Sequence, residues 1–148
     1  MDRALLRTLR TRGHTPALER LARAYARTGE NGALWLVVAA LARNQRAVRV
    51  VLAALIANTA VKQVVRRPRP DLGPQVPPLV STISSLSYPS AHAATSFAAA
   101  RALGRELPSV PLYAAAGAMA LTRPYLGVHY PSDVVAGAVL GRAIERLL

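Results

Sequence analysis

Two stretches of this chain, VVLAALIANTAV (Val50–Val61) and AAAGAMALT (Ala114–Thr122), are apolar on every helical face rather than along one stripe. A helix of that kind has no side to offer to water, so it belongs inside a core or inside a bilayer. ALWLVVAALA (Ala33–Ala42) has a similar character. No uninterrupted run reaches the ~20 residues that spanning a bilayer usually takes. The runs therefore read as short core helices, or as helices that enter the membrane with arginines snorkelling at their ends. Composition tips the balance: 52% of 148 residues are apolar and mean hydropathy is +0.23, richer than an ordinary soluble domain. The expected fold is all-α, a membrane-embedded bundle of about four to five core helices plus an N-terminal amphipathic helix. The length suits one domain over 1–148, with a basic segment over 1–31 and a helical core over 32–148.

A formal net charge of +12 calls for nucleic acid, anionic lipid or a phosphorylated substrate. The cations are crowded into the first 31 residues, into 62–69 and around the apolar runs, the pattern of charges flanking bilayer-buried segments. A nucleic-acid reader would interleave its basic face with stacking rings, and one Trp, one Phe and five Tyr argue against that partner. With no cysteine, thiolate metal sites and cysteine nucleophiles are excluded. No apolar h-region precedes residue 33, so a cleavable signal peptide is not expected. Leu5, Leu6, Leu9, Leu18, Leu21 and Tyr25 instead give the basic segment an amphipathic spacing, interrupted near Gly13 and Pro16. Such a segment suits a bilayer surface or a face of the domain.

The spacing predicts a hairpin of two helices over 33–42 and 47–61. Three more are expected over 90–103, 111–122 and from Pro131 onward. Residues 68–90 hold six prolines and cannot sustain a helix, and loops of that length in compact domains usually carry function. The single lysine, Lys62, opens a spaced set that continues through Arg69-Pro70, Pro89-Ser90-Ala91-His92, Arg123, His129 and Asp133. Ser90 suits an N-cap, and the amides behind it would face an anion. Pro131 suits the first turn of the last helix and places Asp133 there, within reach of His129. A carboxylate holding one imidazole nitrogen leaves the other as a nucleophile or base. Pro68 breaks the helix after Lys62, which puts Lys62 near a helix end and Arg69 on the loop behind it, facing one cavity. Arg66 and Arg67 read as interfacial, lipid-contacting charges. Each segment singly also fits a plain helix cap.

Taken together, Lys62-x6-Arg69-Pro70, Pro89-Ser90-Ala91-His92 and Thr122-Arg123-x5-His129-x3-Asp133 resemble the three-part signature of the type 2 phosphatidic acid phosphatases, which share their site with vanadium haloperoxidases. The resemblance covers about residues 30–145. It implies that His129 attacks phosphorus to form a phosphohistidine, that Asp133 fixes its tautomer, and that His92 protonates the leaving oxygen and then activates water. It also implies that Lys62, Arg69, Arg123, Ser90 and the amide of Ala91 hold the phosphoryl oxygens, with no metal and no cofactor. Two positions depart from the family's usual pattern. Ala91 stands where Gly is usual, which a helical backbone tolerates and a positive φ would not, and Thr122 stands where Ser is usual.

The resemblance implies a phosphatase of lipid phosphates in the bacterial inner membrane. Polyprenyl-linked phosphates or phospholipids are the expected substrates, and in small size and Ala/Arg-rich character the chain resembles the small bacterial members, the decaprenylphosphoryl-phosphoribose phosphatases among them. A vanadate-dependent haloperoxidase or soluble acid phosphatase on the same site, and a non-enzymatic basic binding protein, are the alternative readings. The larger share of Lys and Arg lies on the side of residues 1–31, 62–90 and 122–131, which points that side, with the site, toward the cytoplasm. With so few helices, a homodimer would complete the bundle.

Overall fold

Alanine occupies the middle of the molecule. In the computed structural model, which describes residues 1–148, the helix Ala91–Leu103 is buried at nine positions, seven of them Ala or Leu and the other two Thr95 and Ser96. Its small side chains let every neighbour approach closely. In chain order the helices are α1 (Asp2–Thr11), α2 (Pro16–Thr28), α3 (Ala33–Leu41), α4 (Gln45–Val65), α5 (Ala91–Leu103), α6 (Ser109–Tyr125) and α7 (Pro131–Leu147). A single 3-10 turn, Glu30–Gly32, joins α2 to α3. There is no strand, only an isolated bridge between Pro68 and Leu86.

Five helices, α3 to α7, form the core around α5, with α7, α4 and α6 packed against it. Trp35, Val50, Val51, Leu103 and Ala116 fill the space between them. The Trp35 indole N–H donates to Ser96 Oγ at 2.7 Å, so the one large ring in this core leaves no polar atom stranded. On the outside, Val37 of α3, Leu52 and Ile56 of α4, Leu121 of α6 and Val135 and Val139 of α7 are exposed, so four of the five core helices turn large apolar side chains outward. α4 has 21 residues and is long and apolar enough to cross a membrane; at 1.5 Å per residue it reaches about 31 Å.

The boundaries differ from the expected ones in physical ways. α4 extends past Val61 to Val65 and stops where Arg66 turns left-handed at φ 51, ahead of Pro68. α6 begins at Ser109, with Pro111 accommodated in its first turn, and runs through Pro124, which sits so near the end that a single helical bond is lost. The basic segment forms two helices, because Thr15 caps a new one, accepting from Leu18 N at 3.2 Å, with Pro16 at its first position. Both pack on the bundle, α1 against α6 and α7, and α2 against α6.

Residues 66–90 fold back over one end of the bundle. Leu79 N donates to Leu126 O at 2.9 Å and Ser87 N to Arg67 O at 2.8 Å, while Arg10 and Arg3 of α1 donate to Pro77 O and Asp71 O. At the opposite end Glu145, 1% exposed, pairs with Arg46, Arg101 and Arg105 at 2.9, 3.2 and 3.3 Å. Removing this carboxylate strands no fully buried charge, since the Arg46, Arg101 and Arg105 side chains are 25%, 46% and 61% exposed. Glu145→Gln should therefore cost about 1–2 kcal/mol, below the 3–5 typical of a broken buried pair, as measured by thermal unfolding in detergent.

Candidate active site

His129 sits between two groups that determine its protonation. Its Nε2 lies 3.1 Å from Arg69 Nη1, and a guanidinium has donors only, so Nε2 is the acceptor and carries the lone pair. The ring proton then belongs to Nδ1, which faces Asp133 Oδ2 at 3.6 Å. That distance is a close charge contact, a few tenths of an ångström longer than a hydrogen bond, and Nδ1 has no other partner. Burial, with Arg69, Arg123 and Lys62 nearby, pushes the imidazole down to about 4 against the support of Asp133. At neutral pH the ring is uncharged and its Nε2 lone pair is available.

Asp133 is fully buried in the first turn of α7. Its Oδ2 accepts from Tyr130 N at 2.8 Å and its Oδ1 from Arg67 Nη1 at 2.8 Å. Arg69 is anchored on the loop by Nε to Ser84 O and Nη1 to Val128 O, both 2.7 Å. Lys62, in the last turn of α4, donates to Leu86 O at 3.2 Å and lies within electrostatic range of Arg69, Asp133 and Arg123. Arg123, 6% exposed near the end of α6, has a buried Nε with no partner. Three cations thus gather around one imidazole, and the carboxylate beside that imidazole, Asp133, is already paired with a fourth, Arg67.

The start of α5 brings in the remaining expected residues. Ser90 caps the helix, its Oγ accepting from Ala93 N at 3.4 Å, and its N–H donates to Asp133 O at 2.9 Å. The Ser90 hydroxyl is therefore turned along its own helix. Ala91 is the first residue of α5 and is absent from the positive-φ positions, so its methyl group is accommodated. His92 lies within electrostatic range of Arg123, His129 and Arg69, and its Nε2 is 3.0 Å from Ala26 O of α2. A carbonyl only accepts, so Nε2 carries the proton and Nδ1 is left to exchange one. Thr122 Oγ1 donates back to Met119 O at 2.6 Å.

One reading is corrected. Arg66 is exposed, but Arg67 is not a lipid-contacting charge: it faces the site and pairs with Asp133 and with Asp2, both at 2.8 Å. Pro68 disfavours a helical conformation at Arg67, and in extended backbone residues 67 and 69 share a side. That spacing was the available signal. Asp2 had none, because its partners lie 65 and 130 residues away.

The sequence pattern of the PAP2 superfamily matches residues 32–148. The chain belongs to the PAP2 superfamily. Among PAP2 relatives, the decaprenylphosphoryl-5-phosphoribose phosphatase of Mycobacterium tuberculosis is 41% identical over 146 residues, covering 90% of this chain and 80% of the relative. The protein of that name from Mycolicibacterium smegmatis is 43% identical over 126 residues, covering 78% and 69%. Two solved structures superpose on it. LpxE of Aquifex aeolicus has a TM-score of 0.79 at 23% identity, covering 99% of this chain and 93% of LpxE. The transmembrane PAP2-type phosphatidylglycerolphosphate phosphatase of Bacillus subtilis has a TM-score of 0.74 at 24% identity, covering 99% and 81%. All seven helices, the two N-terminal ones included, fall within the shared fold.

Proposed function

We propose that this PAP2 protein is an integral membrane phosphatase that hydrolyses a phosphomonoester or diphosphate of a polyprenyl-linked lipid through a phosphohistidine on His129. One observation carries the reading: Lys62, Arg69 and Arg123 converge on a buried imidazole whose lone pair is on Nε2, and none of the three is in ion-pair contact with a carboxylate, Asp133 being paired with Arg67 instead. Such a cluster is complementary to a phosphoryl group, and phosphoryl transfer needs chiefly positioning and charge neutralisation. A passive binding surface would have no use for an imidazole whose tautomer is set between a guanidinium and a carboxylate. The exposed apolar side chains and the length of α4 support a bilayer setting, and the names of the 41% and 43% identical relatives support a polyprenyl-linked substrate.

The steps balance on these side chains. Arg69 turns its Nη1 donor from His129 to a phosphoryl oxygen, and His129 Nε2 forms a bond to phosphorus as the P–O bond to the leaving group breaks. His92, neutral in the free site with its proton on Nε2, takes on Nδ1 the proton of the entering phosphate monoanion and gives it to the departing oxygen. Water then attacks phosphorus, its proton passing to His92 Nδ1, and the P–N bond breaks to release phosphate. Throughout, Asp133 supports the positive charge on the His129 ring, while Lys62, Arg69 and Arg123 neutralise the equatorial oxygens.

The test is phosphate release by detergent-purified protein in EDTA, with decaprenyl-linked phosphates and phosphatidic acid compared as substrates. Continued release in EDTA, faster on the polyprenyl substrate, with an acid-labile, alkali-stable phosphoprotein trapped during turnover, is the expected result. A strict metal requirement, or turnover with no such phosphoprotein, would overturn the mechanism.

A further inference from the structure

The first helix of the chain meets the last at the site. Asp2, which opens α1, accepts on Oδ1 from Ser132 N at 3.1 Å, and on Oδ2 from Ser132 Oγ at 2.5 Å and Arg67 Nη2 at 2.8 Å. Ser132 is the second residue of α7, where backbone amides have no partner within the helix, so a carboxylate from α1 caps α7 from outside. Arg67 Nη1 donates in turn to Asp133 Oδ1 and to Ser132 Oγ, at 2.8 and 2.7 Å, and the guanidinium lies 3.9 Å over the Tyr130 ring. Arg67 is the one cation of fixed charge in ion-pair contact with Asp133.

We propose that Asp2 and Arg67 form a positioning relay for the His129–Asp133 pair, so that α1 docked on the start of α7 is a working part of the enzyme. The proposal rests on the phosphohistidine reading above. Asp133 is held by Arg67 on one oxygen and by Tyr130 N–H on the other, so its carboxylate cannot rotate, and Oδ2 stays toward His129. Arg67 alone is a long, partly exposed side chain with many rotamers. Asp2, Ser132 and the Tyr130 ring confine it to one. α1 itself is tied down by Arg3 to Asp71 O and Arg10 to Pro77 O. The path from α1 to the nucleophile therefore runs Asp2, Arg67, Asp133, His129, each step a contact between charged or titratable groups.

Charge gives this relay a signature that packing alone would not. The groups facing His129 are Lys62 of α4, Arg69 of the loop, His92 of α5, Arg123 of α6 and Asp133 of α7, and Arg67 and Asp2 act on it from behind Asp133. Removing the Arg67 charge makes the imidazolium easier to form, and removing the Asp2 charge makes it harder. The acidic limb of the pH profile of kcat/KM should move up in Arg67→Gln and down in Asp2→Asn, each by about half a pH unit.

The experiment uses the detergent-purified full chain and a decaprenyl-linked phosphate in EDTA. Both variants should lose roughly ten- to a hundredfold in kcat, with KM nearly unchanged, and Arg67→Lys should recover only part of the loss. Limbs that stay put or move the same way, or Arg67→Gln with at least half the wild-type kcat, would overturn the relay while leaving His129→Ala inactive. If wild type releases no phosphate, or His129→Ala releases as much, the phosphohistidine reading falls and the relay falls with it. Should Arg67→Gln not fold, Asp2→Asn decides, because Asp2 is partly exposed and its loss uncovers no core.

Discussion

His129→Ala should abolish phosphate release and the trapped phosphoprotein together, a fall of about 10⁴-fold or more, as for the loss of other enzymatic nucleophiles. The variant should still fold and still bind substrate. Lys62, Arg69 and Arg123 are held by carbonyls and by their own helices, not by the imidazole, apart from the one Arg69 contact at 3.1 Å. Asp133→Asn separates positioning from attack. An asparagine must turn its NH₂ either toward the Tyr130 N–H or toward Arg67, and both of those are donors. One donor pair is then stranded in a fully buried place, and the His129 ring loses the charge that holds its proton on Nδ1. A fall of about 10³–10⁴-fold is expected, with the phosphoprotein forming slowly instead of being absent. The check is single-turnover quench of both variants beside wild type: a phosphoprotein in His129→Ala would place the nucleophile elsewhere.

Much of this site was legible in advance, because its residues stand at helix ends that proline and serine mark. Ser90 and Pro131 announce the starts of α5 and α7, and a carboxylate two residues after Pro131 has to lie in the first turn. His129 and His92 stand beside those two starts, Lys62 and Arg69 flank the helix end that Pro68 marks, and Arg123 comes in through the family resemblance alone. Arg67 was misread because two adjacent arginines look alike in a sequence. The left-handed turn at Arg66, together with the constraint that Pro68 puts on Arg67, sends one of them outward and the other in. Asp2 could not be read at all, since its value depends on a contact across 130 residues. The orientation of His92 belongs to the same class: the carbonyl that fixes it, Ala26 O, lies 66 residues earlier on α2, and nothing in the PSAH segment predicts that a basic amphipathic helix supplies it.

Gly141→Ala should destabilise the protein by about 2–3 kcal/mol, the cost of forcing atoms into a filled space, while Gly117→Ala should stabilise it by about 0.5–1 kcal/mol through helix propensity alone. Both glycines lie inside helices, so the contrast comes from their surroundings. A methyl group at Gly141 would overlap the Ala94 carbonyl of α5, and one at Gly137 the Ser90 carbonyl, whereas at Gly117 it would meet nothing within 4 Å. Gly137 and Gly141, four apart, make the small-residue stripe by which α7 lies directly on the α5 backbone. This contact also sets the chemistry, since α5 carries His92 and α7 carries Asp133, with Ser90 N bonded to Asp133 O at 2.9 Å. Pushing the two helices apart should move the proton donor away from the nucleophile, and a shift of about 1 Å is enough to cost roughly a hundredfold in rate. Thermal unfolding in detergent and kcat on the same preparations test both halves. Equal midpoints for Gly141→Ala and wild type would show that α7 can slide on α5, and the rate would then reveal whether the site tolerates that movement.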